Sequence, residues 1–566
     1  MENYNLKKLE HFSGREGPVV LIIMDGIGIG EENDTNAFYQ AKTPFLDTLQ
    51  SEKKLYLEIK AHGTAVGLPS DNEMGNSEVG HNAFGAGKVP KQRATITKEE
   101  IESKCLFGSE KWNVFSDIIN QNSKKLHLIG LLSDGYVHSH ISHLIGILNG
   151  AKDSGIKTVR IHPLLDGRDV PPKSALKYID SLEAEMKIIN ESGDFDYRIA
   201  SGGGRMRVTM DRYNSDWNVV KRGWDAHVCA IPDQFSGYNG FFTSATEAIT
   251  KARELDPNLT DQYLPSFVIT DEANIPIGKM EDEDGVIYFN YRGDRAIQIS
   301  KAFDQGTEFK DFEKKCNPNV LYYGLLQYDE KEQIPKRFFI DPPVIKNTFI
   351  DYLSAEKVPM FAVSETFKIG HLCYFFWGNR DMIVKTDQIK KEGYEIRSSK
   401  SSFNEDIIEI ISFKSELIEE NPKMKALEIK NELLDAIKSN KYKFLRVNIT
   451  NCDMVGHTGN KISAITAAEI VDSCVKEIVD LVNDMNGITI ITADHGNLED
   501  MSPQWNTSHT CNPVMFNIVD SQYKGEYKIN IELNNPGLGN VAATILNLLG
   551  FEKPEDYKKS LIKFNK

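Results

Sequence analysis

Seven side chains that could hold divalent metal ions sit in short motifs scattered along the chain. Asp25 closes VVLIIMDG (19–26), and Ser77 lies in NEMGNSEVGH (72–81). DMVGH supplies Asp453 and His457, ADHGN supplies Asp494 and His495, and TSHTCNP supplies His509. In DMVGH the Asp and His stand four apart, which makes them neighbours on one helical face. Imidazoles and carboxylates at that reach suit Zn²⁺ or Mn²⁺. The side chains of Asp494 and His495 diverge, so they can serve two neighbouring ions or one ion from two sides. A lone Asp–His pair at a strand end is more often a hydrogen-bonded loop feature. Two such pairs, each closing a β-run and followed by Gly, put a metal site on equal footing. Ser77 has two local readings. It can cap the helix that follows, or it can be a nucleophile at a helix N-terminus, where N–H groups favour a phosphoryl group. A serine needs a base or a metal to attack at neutral pH.

A second set of residues is basic. Arg168 and Asp169 lie in DGRD (166–169), Arg205, Arg207 and Arg212 in SGGGRMRVTMDR (201–212), and Arg292 and Arg295 in NYRGDR (290–295). His138 lies in SDGYVHSH (133–140). Arg forks bind carboxylate and phosphate bidentately. One loop Arg is usually a surface charge, but several beside Gly and Asp at strand ends suggest an anion pocket. No Walker loop is present.

These motifs end β-rich runs at 19–26, 126–135, 158–167, 286–294, 444–453 and 488–496. Near-continuous apolar strands with helices between them predict a parallel α/β sheet, and ligands bind beyond the carboxyl ends of such strands. The stripe Ile470, Val471, Cys474, Val475, Ile478, Val479, Val482 predicts a helix over 464–485, and 540–549 predicts another ending at Gly550. The charge-rich stretch 386–443 is expected to be solvated helices and loops.

The net charge of −16 over 566 residues argues against a nucleic-acid partner and against anionic membranes. The apolar run Val19–Met24 is far short of the roughly 20 residues a membrane span needs. The polar first 15 residues lack a signal-peptide core. Seven scattered cysteines without a CxxC pair suggest a reducing compartment and no disulfide framework. A cytoplasmic location is expected.

Taken together, NEMGNSEVGH, LLSDGYVHSH, LLDGRD, GGGRMRVTMDRY, NYRGDRAIQ, SETFKIGH (364–371), DMVGHTG, TADHGN and SHTCNP occur in the order seen in cofactor-independent phosphoglycerate mutases. The chain resembles the long plant and trypanosomatid form over nearly its whole length. The resemblance implies an alkaline-phosphatase-like discontinuous outer domain (1–91 and 341–566) and an inserted α/β transferase domain (95–338), with linkers near 92–94 and 339–340. It implies interconversion of 3-phosphoglycerate and 2-phosphoglycerate by a monomer, through phospho-Ser77 and without 2,3-bisphosphoglycerate. Two divalent ions are implied, Mn²⁺ first, with Mg²⁺, Co²⁺ or Zn²⁺ as alternatives. Asp25, Ser77, Asp494 and His495 would hold one ion, and Asp453, His457 and His509 the other. Substrate contacts would fall to His138, Arg168, Asp169, Arg205, Arg212, Arg292, Arg295 and Lys368, with Asp169 moving protons. Two departures stand out. Cys452 beside Asp453 is a candidate soft ligand or oxidation liability, and Arg207 replaces an aromatic. The rival readings are a phosphohydrolase or phosphopentomutase of the same superfamily, and a catalytically inactive metal-binding protein.

Overall fold

The computed structural model describes residues 4–565 apart from 212–214, 330–331, 342, 344, 415–416, 504 and 506. It divides into two compact units, Met1–Gln92 with Pro343–Lys566, and Arg93–Pro342. Among the described residues no helix is long and apolar enough to cross a membrane.

The first unit is built on a nine-stranded sheet among its described residues. The strand order is Ile383–Lys391, Tyr394–Ser401, Glu405–Ile410, Met360–Glu365, Phe444–Ile449, Val19–Met24, Ile488–Thr492, Val514–Asp520, Tyr56–Ile59. The five strands from Glu405–Ile410 to Ile488–Thr492 run parallel. Val19–Met24 lies between two neighbours and is buried along its whole length, which is why it reads as an unbroken apolar run rather than an alternating one. The helix Lys461–Asp484 buries Val471, Cys474, Val475, Ile478, Val479 and Val482 on one face, matching the predicted stripe except at Ile470, which is only half-buried. Helix Val541–Leu548 likewise falls where the sequence placed one.

Residues 386–443 differ from expectation. They hold the hairpin Ile383–Lys391/Tyr394–Ser401, the strand Glu405–Ile410 and the helix Ala426–Lys438. The strand Ile383–Lys391 is exposed throughout and carries Lys385, Lys390 and Lys391. Charge at a sheet edge looks like loop composition, yet it is how edges are kept from pairing with other chains.

The second unit has its own sheet, in the order Phe338–Ile340, Leu321–Leu326, Gly285–Tyr288, Leu126–Leu132, Thr158–Leu165, Ser201–Gly204, Phe267–Ile269, Phe241–Phe242, with Asp196–Ile199 also pairing Thr158–Leu165. Cys229 and Cys316 form a disulfide, 87 residues apart in sequence. This corrects the expectation of no disulfide. Local spacing could not reveal the pair, because the fold brings it together: the Trp224 indole N–H donates to the Cys316 carbonyl at 2.9 Å. Cys452 is fully buried, and burial pushes its thiol pKa up, so it is neither exposed to oxidants nor poised as a thiolate.

A buried polar chain crosses this second sheet. Along it His227 Nδ1 lies 2.7 Å from Ser201 Oγ, Ser201 Oγ 2.6 Å from His162 Nδ1, His162 Nε2 2.9 Å from His127 Nδ1, and His127 Nε2 3.2 Å from Asp284 Oδ2. With the imidazoles neutral and Asp284 ionised, every donor in this series meets an acceptor. Burial depresses the pKa of all three histidines, that of His227 to about 3. Unfolded histidines take up protons near pH 6.5 and these do not, so stability is full above that pH and falls as pH drops below it. Each histidine contributes up to about 1.4 kcal/mol per pH unit. Hydrogen exchange in strands 126–132 and 158–165, corrected for intrinsic rate, should therefore show weaker protection at pH 5.5 than at pH 7.5. Equal protection would contradict the assignment of neutral, buried histidines.

Candidate metal and phosphoryl-transfer site

The parallel strands of the first unit end in the side chains singled out by sequence. Asp25 follows Val19–Met24, Asp494 and His495 follow Ile488–Thr492, and Asp453 lies on the short helix Asn451–Gly456 after Phe444–Ile449. Ser77 is the first residue of helix Ser77–Ala86. The N-cap is Asn76, whose side chain accepts from Val79 N at 3.2 Å. The local alternative for Ser77, the capping role, therefore belongs to its neighbour, and the Ser77 hydroxyl is left for other contacts.

Those contacts converge. Ser77 Oγ lies 3.0 Å from His495 Nε2 and donates to Asp25 Oδ1 at 3.4 Å, and it accepts from Lys368 Nζ. Lys368 also donates to Asp25 Oδ1 at 2.8 Å and to Asp453 Oδ2 at 2.7 Å. His509 Nε2 is 3.1 Å from both Asp453 Oδ1 and His457 Nε2. Two groups bring ligand atoms close enough for one ion each, Asp25/Asp494/His495 and Asp453/His495/His509. His495 faces both groups, while His457 joins the second through its neighbours, 3.3 Å from Asp453 Oδ1.

Three buried carboxylates in so small a volume set the electrostatics. Burial opposes a charge on His495, but Asp494, Asp25 and Asp453 outweigh it and raise its pKa to about 9. Burial likewise opposes a charged Lys368, and Asp25, Asp453 and Asp494 overcome it and hold it as an ammonium. Burial would raise Asp453, yet Lys368 and His457 hold it well below the usual carboxylate range. His509 is depressed to about 3 by burial and then by His495, so it stays neutral and keeps a lone pair for a cation. The donor set fits divalent metal. Asp494 is fully buried with no hydrogen-bond partner for its Oδ1 among the described residues, and an ammonium sits among the oxygen donors.

In the second unit the arginines again follow strand ends. Arg205 is almost fully buried and bridges Asp166 Oδ1, at 2.7 Å, and Asp169 Oδ2. Its Nε has no hydrogen-bond partner among the described residues. Asp166 Oδ1 also accepts the backbone N–H groups of Arg168 and Asp169, and Ser133 donates to its other oxygen at 2.6 Å. Asp294 gathers Arg292 Nε at 3.2 Å and His138 Nδ1 at 3.6 Å. Arg295 Nη1 donates to Met210 O at 2.6 Å. Arg207 turns to Asp233 at 2.7 Å, with its side chain 39% exposed, and joins none of these groups. Arg212 lies outside the described residues.

Comparison with known proteins decides the family. The family described as "BPG-independent PGAM N-terminus (iPGM_N)" matches residues 97–330. Over 559 residues the chain is 44% identical to the 2,3-bisphosphoglycerate-independent phosphoglycerate mutase of Trypanosoma brucei brucei, covering 96% of this chain and 97% of that one. It is 41% identical to mutase 1 of Arabidopsis thaliana, covering 96% of each. The Leishmania mexicana phosphoglycerate mutase structure, determined at low cobalt concentration, superposes with a TM-score of 0.86 at 40% identity, covering 99% of this chain and all of that one. The chain belongs to the 2,3-bisphosphoglycerate-independent phosphoglycerate mutases.

Within this mutase the seven ligand candidates of the first unit gather at one place. His138, Arg168, Asp169, Arg205, Arg292 and Arg295 lie in the second unit. Lys368, assigned to substrate by resemblance, stands among the metal-ligand candidates, touching Ser77, Asp25 and Asp453. Asp166 and Asp294 were missed. Both sit inside motifs noted for their arginines, and Asp166 opens DGRD with the backbone-capping habit of Asp in turns. Asn448 was missed as well. Its Nδ2 donates to Asp25 Oδ2 at 2.6 Å, and nothing in its strand sequence marks it.

Lys368→Met would leave Asp25 and Asp453 buried without their shared cation. This variant is expected to lose roughly 3–5 kcal/mol of stability in the presence of chelator, read by guanidinium unfolding in EDTA. An unchanged midpoint would mean that the ammonium does not neutralise this cluster.

Proposed function

We propose that this chain interconverts 3-phosphoglycerate and 2-phosphoglycerate, without 2,3-bisphosphoglycerate, through a phosphoserine at Ser77. The observation that carries the reading is the convergence of Asp25, His495 and Lys368 on the Ser77 hydroxyl. The unit Met1–Gln92 with Pro343–Lys566 is the phosphatase-like metal domain, and Arg93–Pro342 is the transferase domain. Asp25, Ser77, Asp494 and His495 would hold one divalent ion, and Asp453, His457 and His509 the second. Mn²⁺ is the first choice, and Co²⁺, Mg²⁺ and Zn²⁺ suit the same N/O donors. Bound there, the ions supply Lewis-acid stabilisation of developing oxyanions.

The chain's own residues do the remaining work. Ser77 Oγ gives its proton to Asp25 Oδ1, to which its hydroxyl already donates, and attacks phosphorus. The bond from Ser77 Oγ to phosphorus forms, and the bond between phosphorus and the glycerate oxygen breaks. Lys368, kept as an ammonium, offsets negative charge at the attacking oxygen. Asp169 gives a proton to the departing glycerate oxygen and takes one from the other hydroxyl when that oxygen attacks phospho-Ser77. Arg168 and Arg205 hold the glycerate carboxylate, and Arg205 Nε, which has no partner among the described residues, offers a donor for it. Arg292 and Arg295 meet phosphoryl oxygens, and His138 and, by resemblance, Arg212 complete the substrate contacts. The enzyme is a cytoplasmic monomer on this reading.

Ser77→Ala, with metal content verified, is expected to lose mutase activity by at least about a thousandfold, because the covalent route disappears. Mutase activity surviving in this variant would refute the mechanism. EDTA should abolish turnover and Mn²⁺ or Co²⁺ should restore it, in a coupled assay without bisphosphoglycerate. If phosphate release from 3-phosphoglycerate or p-nitrophenyl phosphate dominates instead, the chain is a phosphohydrolase.

A further inference from the structure

Glu499 belongs to none of the groups above. It is 2% exposed, and its carboxylate is held by four donors from three separate loops. Oε2 accepts the backbone N–H groups of Gly28, at 3.0 Å, and Asn497, at 2.8 Å. Oε1 accepts the Thr510 hydroxyl, and Asn512 Nδ2 at 3.2 Å. No Lys, Arg or His lies within ion-pair distance among the described residues, so this buried charge is satisfied entirely by neutral donors. Such donors are costly to leave unpaired.

The three loops are those that carry the metal-ligand candidates. Gly28 is three residues beyond Asp25, Asn497 two beyond His495, and Thr510 next to His509. Asn497 extends the frame to a further ligand, donating from Nδ2 to Asp453 Oδ1 at 3.2 Å. Two motif glycines record the same packing. A Cβ at Gly28 would fall 2.4 Å from Glu499 Oε1, and one at Gly496 would fall 2.0 Å from it.

We infer that Glu499 is a positioning residue that ties the Asp25, Asp494–His495 and His509 loops into one frame and thereby sets the affinity for metal. The inference rests on the metal reading proposed above. The carboxylate's four bonds go to Gly28, Asn497, Thr510 and Asn512 and to none of the ligand candidates, so it acts through the loops that present them. Outer-shell partners of this kind typically change metal affinity by about 10–100-fold when removed.

The test is calorimetric titration of chelator-stripped protein with MnCl₂ alone. Glu499→Ala is expected to weaken Mn²⁺ binding by about 10–100-fold. Glu499→Gln should recover most of that loss, because its carbonyl can take the Gly28 and Asn497 N–H groups, while Thr510 and Asn512 can turn to accept from its amide. Val482→Ala, in the buried face of helix Lys461–Asp484, controls for general destabilisation and should bind Mn²⁺ as the parent does. If E499A does not fold, Thr510→Val removes one of the four donors and should weaken binding several-fold in the same direction. Parent-like affinity in E499A or T510V, no recovery in E499Q, or an equal loss in V482A overturns the inference. Failure of the unsubstituted chain to bind Mn²⁺ would instead sink the metal reading.

Discussion

Three carboxylates buried within a few ångströms of one another must be neutralised, and the site of the first unit is organised around that requirement. Asp25, Asp453 and Asp494 are inaccessible to water, and leaving such charges uncompensated in a protein interior costs several kcal/mol each. Lys368 and a protonated His495 meet the need from within the chain. The same arrangement fits divalent cations, because it offers hard carboxylate oxygens, among them the Asp494 Oδ1 that no described residue bonds, and the neutral imidazole of His509. Charge balance thus joins folding to chemistry at Ser77, whose oxygen lies against the residues that provide it.

The second unit holds its cations the other way, by pairing them with neighbouring acids. Arg205 is pinned by Asp166 and Asp169, and Arg292 by Asp294. These carboxylates fix the guanidinium planes, so that an anion arriving there would need little new ordering of side chains. Asp166 also holds the DGRD turn by its backbone, giving one residue both tasks.

The parts of this architecture most legible in sequence were the strand ends. An unbroken apolar run such as VVLIIM, short and bounded by turn residues, reads as a strand covered on both faces, and the polar residue closing it falls at the end where ligands bind in such sheets. The family motifs then placed Ser77 and its partners. Less legible was everything that depends on long-range closure. Glu499 gathers donors from positions 28, 497, 510 and 512, and no local pattern announces that. Asn448 hides in the fully buried strand Phe444–Ile449, whose sequence FLRVNI does not single it out, and Cys229 meets Cys316 only through the folding of the chain between them. The Lys-rich strand Ile383–Lys391 reads in sequence as solvated helix or loop because solvent exposure on both faces erases the alternation by which strands are recognised. Ser77 looked like a helix cap because a serine one position inside a helix and one at its cap differ by a single residue, below the precision of sequence reasoning.

The strand Val19–Met24 pairs on one side with Phe444–Ile449 and on the other with Ile488–Thr492. Its neighbours are therefore synthesised more than 400 residues after it. At translation speeds of roughly 5–20 residues per second, this apolar strand waits on the order of half a minute or more without its partners. Arg93–Pro342 emerges whole in that interval and can fold as a unit nested between the halves of the other. A nascent chain thus carries an early hydrophobic segment in need of protection, and no complete set of ligand candidates until His509 has left the ribosome.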